Sequence, residues 1–128
     1  LYRTQKEKEL KDPLLVLFIY YLNTYYLILK SLLAHINKSF DHRIRLAIMS
    51  VLMVNESADF NTLKELLGVT DGNLASHTRA LEAEEYITIE KSFIGRKTNT
   101  TYKVTEKGRE AFQEHLNALE KIIGKLAD

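Results

Sequence analysis

The stretch Thr62 to Glu85, TLKELLGVTDGNLASHTRALEAEE, constrains the fold of this chain more than any other. It reads as two short amphipathic helices joined by a tight turn at Leu67-Gly68-Val69-Thr70. Gly68 closes the first helix, because glycine takes the left-handed backbone that other residues resist. Asn61 or Thr62 is the expected cap at its start, and Thr62 with Glu65 has capping-box spacing. Thr70 caps the second helix, Asp71 to about Glu84, where Asp71 stands against the positive end of the helix dipole.

Two strands follow. Ile87, Ile89 and Phe93 alternate with Thr88, Glu90 and Ser92, with Lys91 interrupting the apolar face. Thr100, Tyr102 and Val104 alternate with Thr101 and Lys103 on the return strand. Between them Ile94-Gly95-Arg96-Lys97-Thr98 forms a turn long enough to project as a wing. Helix, turn, helix and then hairpin is the order of a winged-helix DNA reader. The fold class expected is mainly α with a small β-hairpin wing (α+β).

Long helices flank this core. Asp12 and Pro13 are a cap and a first helical residue. Leu15, Phe18, Leu22, Tyr25, Leu29, Leu32 and Ile36 then repeat at 3-4 spacing, a heptad seam that calls for a second helix. A helix from Asp41, its expected cap, to Met53 and a short strand at Asp59-Phe60 connect it to the reading core. Thr105 caps a last helix in which Phe112, Leu116, Leu119, Ile123 and Leu126 form a second seam. Both seams lack a partner of their own size, so a homodimer is expected. Residues 1–39 form an N-terminal dimerisation helix, 40–104 the reading domain and 105–128 a C-terminal dimerisation helix. The alternative for residues 14–34 is a membrane tether, since Lys30 is their one charge. Asn23, Thr24 and the central Tyr20, Tyr21, Tyr25 and Tyr26 weigh against it, because spanning helices keep tyrosines at their ends.

Length and a hydrophobic content of 45% suit one compact domain. With no cysteine, a disulfide framework and a thiolate metal site are excluded, in keeping with a cytoplasmic location. His35, His42, His77 and His115 do not stand at metal-ligand spacing, so neither metal nor cofactor is expected. No phosphate-cradling glycine loop, nucleophile elbow or framed carboxylate pair is present, so no catalytic residue is assigned and an enzyme is not expected. The net charge is only +1, and residues 40–104 carry eight Lys/Arg against nine Asp/Glu. A polyanion would therefore have to meet locally placed cations.

Those cations and their neighbours define the candidate site. With Leu74, Thr78, Leu81 and Glu85 inward, the second helix offers Gly72, Ser76 and Arg79 outward, with Thr70, Asp71 and Asn73 at its leading end. Asn and Arg can pair with adenine and guanine in the major groove. His77 beside the inward face is packed or touches phosphate. Lys91, Arg96 and Lys97 supply the wing, and Arg43 with His42 and Arg45 a third cationic cluster. The even charge of the core keeps a winged-helix protein-interaction module as the alternative function. Tyr20, Tyr21, Tyr25 and Tyr26 mark a candidate cavity for a planar small-molecule effector, with plain interface packing as the alternative.

From about Phe40 to Leu126 the chain resembles winged-helix transcriptional regulators of the MarR and ArsR type. The matching residues include Arg43, Ile48, Leu52, Phe60, Leu63, Leu67-Gly68, Thr70-Asp71-Gly72-Asn73-Leu74, His77, Leu81-Glu82, Tyr86, Lys91, Phe93, Gly95-Arg96-Lys97, Tyr102 and Lys107-Gly108. The resemblance implies a dimeric regulator, most simply a repressor, that inserts the helix from Asp71 into the major groove of double-stranded DNA. Thr78 departs from the pattern, standing where an apolar residue is usual. The first helix is longer and more apolar than the resemblance requires.

Overall fold

The computed structural model describes the backbone of residues 11–127 and side chains through residue 124. Helix α1 spans Pro13–Leu33, opened by Asp12, whose carboxylate accepts from the Leu14 N–H at 3.0 Å. It ends three residues short of Ile36, which falls in the turn that follows. A 3-10 turn, Lys38–Phe40, drives Phe40 into the core, and Asp41 closes that turn through its N–H to Lys38. The turn holds Asp41 at φ -79, ψ 5, outside the extended backbone of a helix cap. Helix α2 (Arg43–Val54) takes His42 as its cap instead, the Ile44 N–H donating to His42 Nδ1 at 3.2 Å.

Strand β1 is only Ala58–Asp59, and helix α3 covers Phe60–Leu67. Its cap is Asp59 rather than Asn61 or Thr62, with the Thr62 N–H donating to the Asp59 carboxylate at 2.7 Å. Pairing of Ala58 with Tyr102 fixes the chain there and starts the helix at the next residue but one. Hydrogen bonds from the Thr62 backbone and side chain hold the Asp59 carboxyl below its usual range. Gly68 turns the chain at φ +61, its N–H reaching Lys64 O at 2.9 Å. Helix α4 (Asp71–Ala83) begins with the Asn73 N–H on Thr70 Oγ1 at 3.2 Å.

Glu85 is not an inward residue of α4. It lies beyond the helix in the left-handed region, φ +63, exposed to solvent. Its carbonyl accepts from Thr105 Oγ1 at 2.6 Å, so this backbone kink ties the end of α4 to the start of α5. Strands β2 (Ile87–Ile94) and β3 (Lys97–Val104) pair without interruption from Ile87↔Val104 to Ile94↔Lys97. The turn is therefore just Gly95-Arg96, with Gly95 at the φ of +66 that a two-residue hairpin requires. Sheet order is β1-β3-β2, antiparallel throughout.

Helix α5 (Glu106–Ala127) is capped by Thr105, whose hydroxyl accepts from the Gly108 N–H at 2.9 Å. The core gathers Ile48, Met49, Leu52, Leu63, Leu74, Leu81, Ile87 and Tyr102. Phe112, assigned by its spacing to the intersubunit seam, belongs to this core. It is 3% exposed, with its ring edge-on to Phe40 at 5.2 Å. Heptad spacing marks an apolar face but not the chain that covers it. Farther along α5, Leu116 and Ile123 are exposed and Leu119 is half-buried, whereas the Leu126 side chain lies outside the described residues.

The two terminal helices do meet within the chain. Ser31, Leu32 and His35 face Glu114, Asn117, Ala118 and Lys121 across a cleft. Leu32 is half-buried there, and the rest of α1 projects: Phe18, Leu22 and Tyr25 are exposed, and Leu15 and Leu29 only half-buried. Its 21 residues, with a mean hydropathy of 1.4, are long and apolar enough to cross a membrane.

Candidate nucleic-acid interface

Three elements set the candidate surface: the leading turn and outer face of α4, the start of α2, and the hairpin. Leu74, Thr78 and Leu81 bury the inner face of α4, which turns Gly72, Asn73, Ser76 and Arg79 to solvent. Thr78 is 1% exposed, and its hydroxyl donates to Ala75 O at 3.1 Å. The polar atom is satisfied, so the departure from an apolar residue leaves no orphaned group in the core.

Gly72 is informative by what surrounds it. A Cβ there would touch nothing among the described residues, and Gly72 is the second residue of α4, in its first turn. Packing within the chain therefore gives no reason for glycine, while close approach of a ligand to the backbone does. Thr70 caps the helix through its side chain, and Asp71 pairs with Lys64 of α3. That ion pair partly screens the one acidic group in the leading turn.

Arg79 lines an open cleft of about 510 Å³ between α4 and the hairpin, with Ala75, Glu82, Ile89, Lys91, Thr100 and Tyr102. Burial pushes the Tyr102 phenol up, while a hydrogen bond with Thr78 and the nearby Arg79 charge pull the other way. Arg96 and Lys97 stand exposed at the turn, and Lys91 on β2 faces the cleft.

His42 and His77 stack at 4.1 Å between ring centroids, 32° apart in plane, pinning the start of α2 to the middle of α4. Burial and then the charges of His42 and Arg45 lower the His77 pKa. His77 is thus packed, half-buried, and carries little cationic character near neutrality. Arg45 is also half-buried, and its Nε has no hydrogen-bond partner among the described residues. Arg43, by contrast, is exposed. Among the described residues no group of three or more histidine, aspartate or glutamate side chains could hold a metal ion.

Two features escaped sequence reasoning. Phe93 alternates correctly with Ile87 and Ile89 yet is 76% exposed, because it lies beyond the part of the sheet that α4 covers. The Asn37 side chain joins Tyr86, and its backbone N–H joins His115, across long sequence separations that no local pattern signals.

Residues 44–123 match the model of a winged helix DNA-binding domain. The chain belongs to that family. An uncharacterised protein of Methanocaldococcus jannaschii is 39% identical over 79 residues, 62% of this chain and 86% of the relative. A transcriptional regulator homologue from Pyrococcus horikoshii OT3 superposes with a TM-score of 0.68 at 30% identity, covering 77% of this chain and 95% of that one. The YusO protein from Bacillus subtilis shares the fold at 17% identity and a TM-score of 0.63, covering 91% and 82%. MarR itself does so at 22% identity and 0.59, covering 89% and 80%. The winged helix thus shares the fold of MarR, whereas all of α1 precedes the family match.

Proposed function

We propose that this chain is a homodimeric, sequence-reading transcriptional repressor of the cytoplasm. In this reading α4 enters the major groove with Gly72, Asn73, Ser76 and Arg79 toward the bases. Thr70 and Asp71 stand at its leading end, Arg43 lies near a flanking phosphate, and Lys91, Arg96 and Lys97 reach backbone or minor groove. The observation that carries it is Gly72, a glycine in the leading turn of an exposed helix face that nothing among the described residues crowds. His77 then positions α4 by stacking on His42 instead of contacting DNA.

The dimer is built from α1 and the outer face of α5. Phe18, Leu22, Tyr25, Leu116 and Ile123 leave a large apolar surface exposed in a single chain. Tyr21, Thr24, Tyr25, Ile28, Leu29 and Leu32 line a groove of about 220 Å³ that suits a planar effector. The length and hydropathy of α1 favour membrane tethering as a second reading. Flotation with liposomes separates the two, because a dimer that covers α1 stays in the aqueous fraction.

The test is fluorescence anisotropy on the duplex upstream of the gene and on duplexes selected from a random library, at near-physiological salt. The expected result is sequence-preferring binding. Arg79→Ala should lose about 1–3 kcal/mol of that preference. Selection that enriches no sequence, with no salt-dependent affinity, would leave a protein-interaction module instead.

A further inference from the structure

Phe93 and Ile94 are large apolar residues of a regular strand, yet they stand 76% and 68% exposed at the end of the hairpin. Strand alternation gives their directions, since side chains two residues apart share a face. Ile87 is buried in the core, and Ile89 and Lys91 line the cleft against α4. Phe93 stands on that same face, one step beyond the last β2 residue of the cleft. Thr98, its partner across the ladder, is exposed as well and gives it no cover. Ile94 points from the opposite face.

The surrounding hairpin is cationic. Lys91 shares the face of Phe93, Arg96 follows in the turn, Lys97 stands on the opposite face as the ladder partner of Ile94, and no acidic residue occurs from Lys91 to Thr105. In the adjoining cleft Arg79 and Lys91 outnumber the one carboxylate, Glu82. An uncovered aromatic ring within a cationic loop, continuous with the cleft of the reading helix, fits a polyanion with an apolar interior. Stacked bases between phosphate rails have that chemistry.

We infer that Phe93 is an apolar wedge that enters a base step from the minor groove and kinks the duplex. The inference rests on the DNA-reading function proposed above. As the wing docks, the ring partly unstacks one step, Arg96 lies along the groove, and Lys91 and Lys97 hold the flanking phosphates. Pyrimidine–purine steps unstack most easily, so the site carries such a step beneath each wing although no side chain reads it by hydrogen bonds.

The test uses the full chain and a selected duplex labelled at both ends, reading bend by energy transfer and affinity by anisotropy in the same samples. The wild type should bend the duplex by at least roughly 20°. Phe93→Ser should retain the thermal midpoint, bind more weakly and lose most of the bend, whereas Ile94→Ser bends like the wild type. Bending unchanged in Phe93→Ser overturns the inference, as does a straight duplex under sequence-preferring wild-type binding, which leaves the DNA-reading function intact. Weakened protomer association in Phe93→Ser with an unchanged bend would place the ring at a subunit contact and also overturn it. Failure of the wild type to bind any selected duplex would remove both readings together.

Discussion

One methyl group is enough to test how closely α5 is seated. A Cβ added at Gly108 would overlap the Tyr86 carbonyl oxygen, a clash with a backbone group fixed by its bond from the Thr105 N–H at 3.0 Å. Neither side can yield without disturbing the kink at Glu85. Gly108→Ala should therefore cost about 1–3 kcal/mol, read as a lowered urea midpoint with an unchanged slope. His115 offers a second residue-level test. It is buried, its Nδ1 accepts from the Asn37 N–H at 3.1 Å, and the Asn37 side chain donates to the Tyr86 hydroxyl at 2.9 Å. Burial lowers its pKa from the ordinary 6.5, against the opposing charge of Asp41. The folded state thus prefers the neutral ring, and below pH 6.5 the unfolded chain takes up the proton first. Stability should be flat above that value and fall as pH drops toward the depressed folded pKa. His77, lowered in the same direction, adds to the slope. Thermal midpoints from pH 8 to 5 check this, and His115→Gln should flatten part of the decline.

At the scale of elements, the helix pair and the hairpin carry separable duties. Local chemistry defines α3 and α4 closely: Gly68 and Thr70 act as their spacing predicts, and Leu74 and Leu81 are fully buried. The cap of α2 moved one residue on, from Asp41 to His42, and that of α3 two or three residues back, to Asp59, because a 3-10 turn holds Asp41 out of the extended backbone of a cap and a strand pairing fixes Asp59. Those are tertiary effects, outside the reach of cap preferences. The hairpin runs longer than alternation suggests and ends in a two-residue turn. Arg96→Ala with Lys97→Ala should weaken binding nearly uniformly across sequences. It should also lower the slope of log affinity against log salt by about two, one for each phosphate that is no longer neutralised. A preference that changes with the slope intact would instead place these residues on bases.

For the whole molecule, the decisive quantity is the apolar surface that α1 leaves open. Among the described residues only its C-terminal end meets α5 of the same chain, and Leu22 stands near the middle of the exposed length. A second copy covering that face makes folding and association inseparable, so the thermal midpoint should rise with protein concentration. Leu22→Glu should give monomers in sedimentation velocity and remove the concentration dependence. A cooperative, dimeric Leu22→Glu protein would exclude α1 as the interface.

Residue order alone marks α3, α4, the turn between them and the hairpin. Caps, a left-handed glycine and strand alternation act over a few residues and leave a direct trace in residue order. It also exposed two apolar seams. Which parts of those seams are covered within one chain depends on long-range packing. Phe112 goes to the core because the 3-10 turn brings Phe40 against it, while Phe18 and Leu22 remain outside because α1 runs past the end of what it packs upon. The same cause exposes Phe93: periodicity gives the face a side chain occupies, but cover depends on where the opposing element stops.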